Sequence, residues 1–206
     1  MNIQQESRYH EVYARAQNDP EGFWAEAAKE IDWIRPVDKV FDPSQGVYGR
    51  WFAGAEVNTC YNALDRHVAN GRAGQVALIH DSPLTGSVTK FTYAEMLEEV
   101  KALAAIMQDL GVSKGDRVII YMPLVPEAVI GMLACARIGA VHSVVFGGFA
   151  AKELATRIED AEPKLVLSAS CGIEPGRIVK YKPLLDEAID LSKAKPSACI
   201  VLQRPQ

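Results

Sequence analysis

No run in this 206-residue chain approaches the roughly 20 apolar residues that a membrane-spanning helix requires. The polar opening, residues 1–8, lacks the apolar core of a secretion signal. A membrane partner is therefore not expected. Cysteine is sparse: Cys60, Cys135, Cys171 and Cys199 lie far apart with no C-x-x-C pair. That spacing supports neither a disulfide framework nor a zinc site, and it suits thiols kept reduced in a cytoplasmic protein. Histidine is equally scarce, and His10, His67, His80 and His142 are scattered. Asp65 and His67 are too close in sequence to share a helix face, so no metal site is expected. His142 sits in an apolar strand and reads as a hydrogen-bonded core residue. No basic cluster offsets the net charge of −4, which argues against a nucleic-acid partner. Internal repeats and low-complexity tracts are missing too.

What is present is an ordinary globular composition, 49% hydrophobic and 23% charged, with material for one domain or one and a fraction. Asn-Gly-Arg-Ala-Gly at residues 70–74 suggests a joint, with a boundary at 72/73. Before it, residues 6–17 and 20–31 read as helices, the second with Asp19 as N-cap and Pro20 at its first position. Phe23, Trp24, Ala27, Ala28 and Ile31 form an apolar stripe on that helix, while Trp33, Trp51 and Phe52 anchor the loop that follows.

After the joint the pattern becomes regular. Residues 75–80 and 87–91 alternate as the strands of a hairpin around Pro83 and Gly86. Thr92 and Glu95 then form a capping box, and Met96, Leu97, Val100, Leu103, Ala104, Met107 and Leu110 trace one helix face ending at Gly111. Strands are expected at 118–122, 141–146, 164–168 and 198–202, with helices at 127–138, from about 151, and at 184–193. The fold class is therefore α/β: part of a doubly wound, mostly parallel sheet with flanking helices, preceded by an irregular helical region.

Ligands of such sheets bind beyond the carboxyl ends of the strands. Phe146-Gly147-Gly148-Phe149 stands there, followed by a helix, and glycines let a main chain approach a ligand closely. A tight turn would use the same pair. If strands 141–146 and 164–168 are neighbours, the loop carrying Gly176 and Arg177 reaches the same sheet edge. Arg177 is the only cation in the loop 168–177, and its planar fork suits a phosphate oxygen, although a solvated surface arginine is the plainer reading. Two other classes lack their residues. A phosphoreceiver needs an acid at a central strand end, and a dinucleotide domain needs G-x-G-x-x-G after its first strand.

The segment from Pro123 to Phe149, PLVPEAVIGMLACARIGAVHSVVFGGF, resembles the acetyl- and propionyl-CoA synthetase branch of the acyl-adenylate-forming enzymes. The likeness extends to Phe23-Trp24, to Trp51-Phe52 through His67, and to Phe91-Thr92-Tyr93. Cys171 through Arg177, followed by Tyr181-Lys182-Pro183-Leu184, is more similar to the propionate type. This resemblance implies an N-terminal fragment of the large domain of an AMP-forming ligase that uses ATP, Mg²⁺, coenzyme A and a short-chain carboxylate. It implies that Gly148 lies beside the pantetheine arm of coenzyme A, and that Glu174, Pro175, Gly176 and Arg177 belong to a loop contacting the coenzyme. Glu174 departs from the acetyl type, which commonly has a basic residue there. The family's Ser/Thr/Gly-rich ATP loop and its essential lid lysine have no match in the chain, so no catalytic residue is expected within it and the fragment is expected to be inactive alone. A self-contained α/β binding or interaction module is the alternative.

Overall fold

A computed structural model describes residues 7–206, so the expected helix start at Glu6 lies outside the described residues. The chain forms two compact units that divide between Asn58 and Thr59. Residues 70–74, where the sequence suggested a joint, lie within the second unit.

In the first unit, α1 (Tyr9–Asn18) and α2 (Pro20–Ala27) follow each other with Asp19 between them. The Asp19 carboxylate accepts from the Gly22 amide at 2.9 Å, and Pro20 starts α2 as expected. Strands β1 (Lys39–Asp42) and β2 (Arg50–Ala53) pair antiparallel. Aromatic rings tie these pieces together. Trp51 meets Phe41 at 4.7 Å and Trp24 at 6.5 Å, Trp33 meets Phe52 at 5.6 Å, and the Trp33 indole donates to the Ala28 carbonyl. Trp51 is nonetheless 39% exposed, so these rings are surface anchors rather than a closed core.

The second unit opens with a helical stretch, residues 59–72, that Gly71 ends in the left-handed region, φ +83°. Hairpin β3 (Val76–Ser82) and β4 (Ser87–Thr92) follows, then α3 (Tyr93–Asp109). The capping box is complete: the Thr92 hydroxyl accepts from the Glu95 amide, and the Glu95 carboxylate accepts from the Thr92 amide at 2.7 Å. The remaining elements are β5 (Arg117–Met122), α4 (Pro126–Ile138), β6 (Val141–Phe146), α5 (Ala151–Ala161), β7 (Leu165–Ala169), β8 (Cys171–Glu174), β9 (Arg177–Lys180), α6 (Tyr181–Leu191) and β10 (Ala198–Leu202).

Strands β6, β5, β7 and β10 form a parallel sheet in that spatial order. The sheet separates two apolar layers. Val118 and Ile120 of β5 and Leu165 and Leu167 of β7 pack with α3 and α4, through Met96, Val100, Met107 and Ile130. Ile119, Tyr121 and Val166 face α5 and α6, through Leu154, Ile158 and Leu185. This alternation across a strand that is covered on both faces is the doubly wound arrangement.

Two expectations are corrected. Strands 141–146 and 164–168 are not neighbours, because β5 lies between them. Val118 to Tyr121 are fully buried and need a layer on each face, which only an inner strand has. His142 is not a core residue either. It is exposed, as are Val141 and Val144, because β6 is an edge strand of this sheet.

Candidate functional site

The sheet order changes direction at β5: the chain steps to β6 on one side, then returns past β5 to β7 on the other. In an open α/β sheet the crevice at the carboxyl end of such a switch point takes the ligand. A cleft of about 460 Å³ lies there, bordered by the turn of hairpin β3–β4, the ends of β5 and β6, and β8. Its size is that of a small-molecule site.

Gly147 and Gly148 both line this cleft. They close a four-residue turn in which the Phe149 amide donates to the Phe146 carbonyl at 3.1 Å. Neither glycine has a left-handed φ, so backbone conformation alone does not require glycine at either place. Gly147 is required by a close approach. A Cβ there would fall 2.2 Å from the Tyr181 hydroxyl oxygen and 2.7 Å from Cζ, against a ring held in place. Gly148 differs. It is exposed, and a Cβ would meet only the side chain of Phe146, itself 73% exposed. Of the two, Gly148 is the one where an added side chain would have only an exposed, displaceable ring to move.

Residues 168–177, read from the sequence as a loop, contain half of a second hairpin, β8–β9, in which Glu174 pairs in register with Arg177. Pro175 and Gly176 make its turn, with Gly176 at φ +76°, the Pro-Gly pattern of a type II turn. Glu174 lines the cleft, and Arg177 stands at the hairpin tip with its side chain 71% exposed. Nε of Arg177 donates to one oxygen of Glu174 at 2.7 Å, and Nη2 stands 2.6 Å from the same oxygen as an ion pair. The pair neutralises the acid whose presence in this loop was the departure from the acetyl type.

Three contributors were not visible in the sequence. Tyr121 and Tyr181 stack with centroids 5.0 Å apart, and Tyr121 Oη donates to the Phe149 carbonyl at 2.9 Å, which holds the glycine turn from below. Burial, together with Tyr181 nearby, pushes the Tyr121 phenol up to about 12. Arg204 is the third. It lines the cleft, its amide donates to Ser170 Oγ at 2.9 Å, and its guanidinium donates to the Cys171 carbonyl at 3.2 Å. Arg204 is the only arginine or lysine among the lining residues.

Away from the cleft, Asp65 pairs with Arg137 of α4, at 2.8 and 3.1 Å. This pair is structural, linking the 59–72 stretch to α4. Among the described residues no group of three or more His, Cys, Asp or Glu could hold a metal ion. No helix among them is long and apolar enough to cross a membrane.

Residues 64–206 match the family described as AMP-binding enzyme, and residues 9–63 match the one described as acetyl-coenzyme A synthetase N-terminus. The chain belongs to the AMP-binding enzymes. It is 48% identical over 199 residues to the acyl-CoA synthetase short-chain family member 3, mitochondrial, of Homo sapiens, covering 97% of this chain and 29% of that protein. It is 45% identical over 196 residues to the propionate–CoA ligase of Salmonella typhimurium, covering 95% of this chain and 31% of the ligase. An acetoacetyl-CoA synthetase from Streptomyces lividans shares the fold with a TM-score of 0.83 at 24% identity, over 96% of this chain and 32% of that one. The chain thus spans about 30% of the length of these AMP-binding relatives. A self-contained binding module is not favoured by these matches.

Proposed function

We propose that this chain forms part of the coenzyme A site of an ATP-dependent short-chain carboxylate–CoA ligase. Such a ligase joins the carboxylate to AMP, releasing diphosphate, and then transfers the acyl group to the thiol of coenzyme A, releasing AMP. The observation that carries the reading is the cleft at the switch point, with Gly148 open to it and Glu174 on its wall, in a chain belonging to the AMP-binding enzymes. Gly148 gives the thiol arm its passage. Glu174, Pro175, Gly176 and Arg177 form the hairpin tip that meets the phosphates, with Arg177 as the cation. Residues of the longer protein would hold ATP and Mg²⁺. Propionate is the substrate suggested by the likeness of residues 171–177, and by the printed name of the Salmonella relative. The unpaired state of all four cysteines supports a reducing compartment such as the cytoplasm.

The test uses the full-length ligase. Gly148→Val and Arg177→Ala should impair thioester formation and leave propionate-dependent pyrophosphate exchange, which needs no coenzyme A, at its wild-type rate. For Arg177→Ala the loss of one charge-assisted contact corresponds to a KM for coenzyme A raised about ten- to a hundredfold. A parallel fall in both reactions would make these residues structural and refute the assignment.

A further inference from the structure

Tyr181 is held from three sides. Its ring stacks on Tyr121, with an angle of 26° between the planes, and lies against the backbones of Gly147 and Gly172. A Cβ at Gly172 would come within 2.8 Å of the ring, as one at Gly147 would come still closer. The residue is 5% exposed. A buried tyrosine ordinarily gives its hydroxyl a partner, and Tyr121 does so through Phe149. The Tyr181 hydroxyl has no hydrogen-bond partner among the described residues. It is not sealed off, however, because Ser192 Oγ is the only fully enclosed side-chain oxygen or nitrogen among them that lacks a partner. Tyr181 lines the cleft together with Gly147, Gly148, Glu174 and Arg204.

We propose that Tyr181 Oη donates a hydrogen bond to an oxygen of the thiol substrate bound in this cleft, making it a binding residue for coenzyme A. The inference rests on reading the cleft as the coenzyme A site, and it adds a contact that the hairpin tip does not provide. The chemistry of the wall is consistent. Burial, with the Glu174 carboxylate as the next cause, holds the Tyr181 phenol above its ordinary value, so at neutral pH it keeps its proton and can donate. Arg204 adds a cation to the same wall, so an acceptor oxygen is the complementary group. Because the ring is already clamped, binding freezes no further side-chain freedom. Coenzyme A offers two kinds of acceptor, the amide carbonyls of its pantetheine arm and its phosphate oxygens.

Tyr181→Phe in the full-length ligase removes the hydroxyl and keeps the ring that Gly147, Gly172 and Tyr121 surround. The KM for coenzyme A should rise about three- to tenfold, with pyrophosphate exchange unchanged. Pantetheine and adenosine 3′,5′-bisphosphate, used as competitors of coenzyme A, locate the acceptor: the one whose inhibition constant also rises carries the contacted oxygen. An unchanged KM for coenzyme A would overturn the assignment of Tyr181 alone, as would a matching fall in exchange. A wild-type ligase forming no thioester would overturn the reading of the cleft and this inference with it.

Discussion

Adding one methyl group to each member of the Gly147-Gly148 pair should have unequal consequences for stability. In Gly147→Ala the new Cβ falls 2.2 Å from Tyr181 Oη and 2.7 Å from Cζ, roughly 1 Å inside ordinary contact. The ring cannot simply retreat. It is stacked on Tyr121 and backed by Gly172, and the residue is 5% exposed. Overpacking of this kind costs about 1–3 kcal/mol. With a urea slope of about 2 kcal/mol per M, a cost of about 2 kcal/mol lowers the unfolding midpoint by about 1 M. Gly148→Ala meets Phe146 Cε1 at 2.6 Å, but that ring is 73% exposed and free to turn aside, so the cost should stay below about 0.5 kcal/mol. The double variant Gly147→Ala/Tyr181→Phe removes the 2.2 Å approach and leaves the 2.7 Å one, so it should recover part of the loss. Urea denaturation followed by tyrosine and tryptophan fluorescence reads all three. Equal midpoints for Gly147→Ala and Gly148→Ala would refute the close-approach reasoning, and so would a double variant with no coupling.

Two further outcomes are expected. Asp65→Asn leaves the Arg137 guanidinium, 27% exposed, without its carboxylate, and should lower unfolding free energy by about 1.5–3 kcal/mol; a change below about 0.5 kcal/mol would show that the pair does not hold the 59–72 stretch to α4. Tyr121 has a folded pKa pushed up to about 12 from 10, so the fold favours its neutral form; that stabilisation is complete below pH 10 and is lost as pH rises from 10 towards 12. Phenolate absorbance compared between the wild type and Tyr121→Phe measures this, and ionisation of Tyr121 near pH 10 would contradict it.

The elements with strong local signals were legible in the sequence. The Thr92–Glu95 capping box, the 3.6-residue stripe of α3 and the Gly139 cap of α4 each depend on residues within a few positions of one another, and all three form. Strand order was harder. It depends on which strand is buried on both faces, and the apolar run of β6 resembles that of β5 although β6 lies at the edge. The β8–β9 hairpin had a usable signal in Pro175-Gly176 between two short β-prone runs, and the pairing of Glu174 with Arg177 follows from its register. Gly148 and Glu174 do line one cleft, while Arg177 stands on the exposed hairpin tip and is not among the lining residues. Tyr121, Tyr181 and Arg204 gave no local sign, because each acts through contacts formed only when distant strands assemble. Asp65 shows the same limit: its partner Arg137 lies 72 positions away, on another element.

The state of Arg177 bears on how the proposed site would take up a phosphate. In this structure its fork is engaged by Glu174, so the hairpin tip presents a neutral pair rather than a free cation. An exposed pair of this kind contributes only about 0–1 kcal/mol, whereas a charge-assisted contact to phosphate contributes about 1.5–3. Exchange of partners is therefore favourable for Arg177, and it leaves the Glu174 carboxylate, 40% exposed, on the cleft wall. Arg204, by contrast, is tied through its guanidinium to the Cys171 carbonyl and through its own backbone amide to Ser170 Oγ, so it is a fixed charge in the wall. On the proposed reading the two arginines have different duties. Arg204 is a fixed cation of the cleft wall, and Arg177 is a mobile contact whose contribution depends on leaving Glu174. Glu174→Gln separates these roles: it frees Arg177 without removing it, so the KM for coenzyme A should fall by a few-fold in the full-length ligase. A rise in KM would mean that Glu174 itself holds the coenzyme, and the exchange argument would fail.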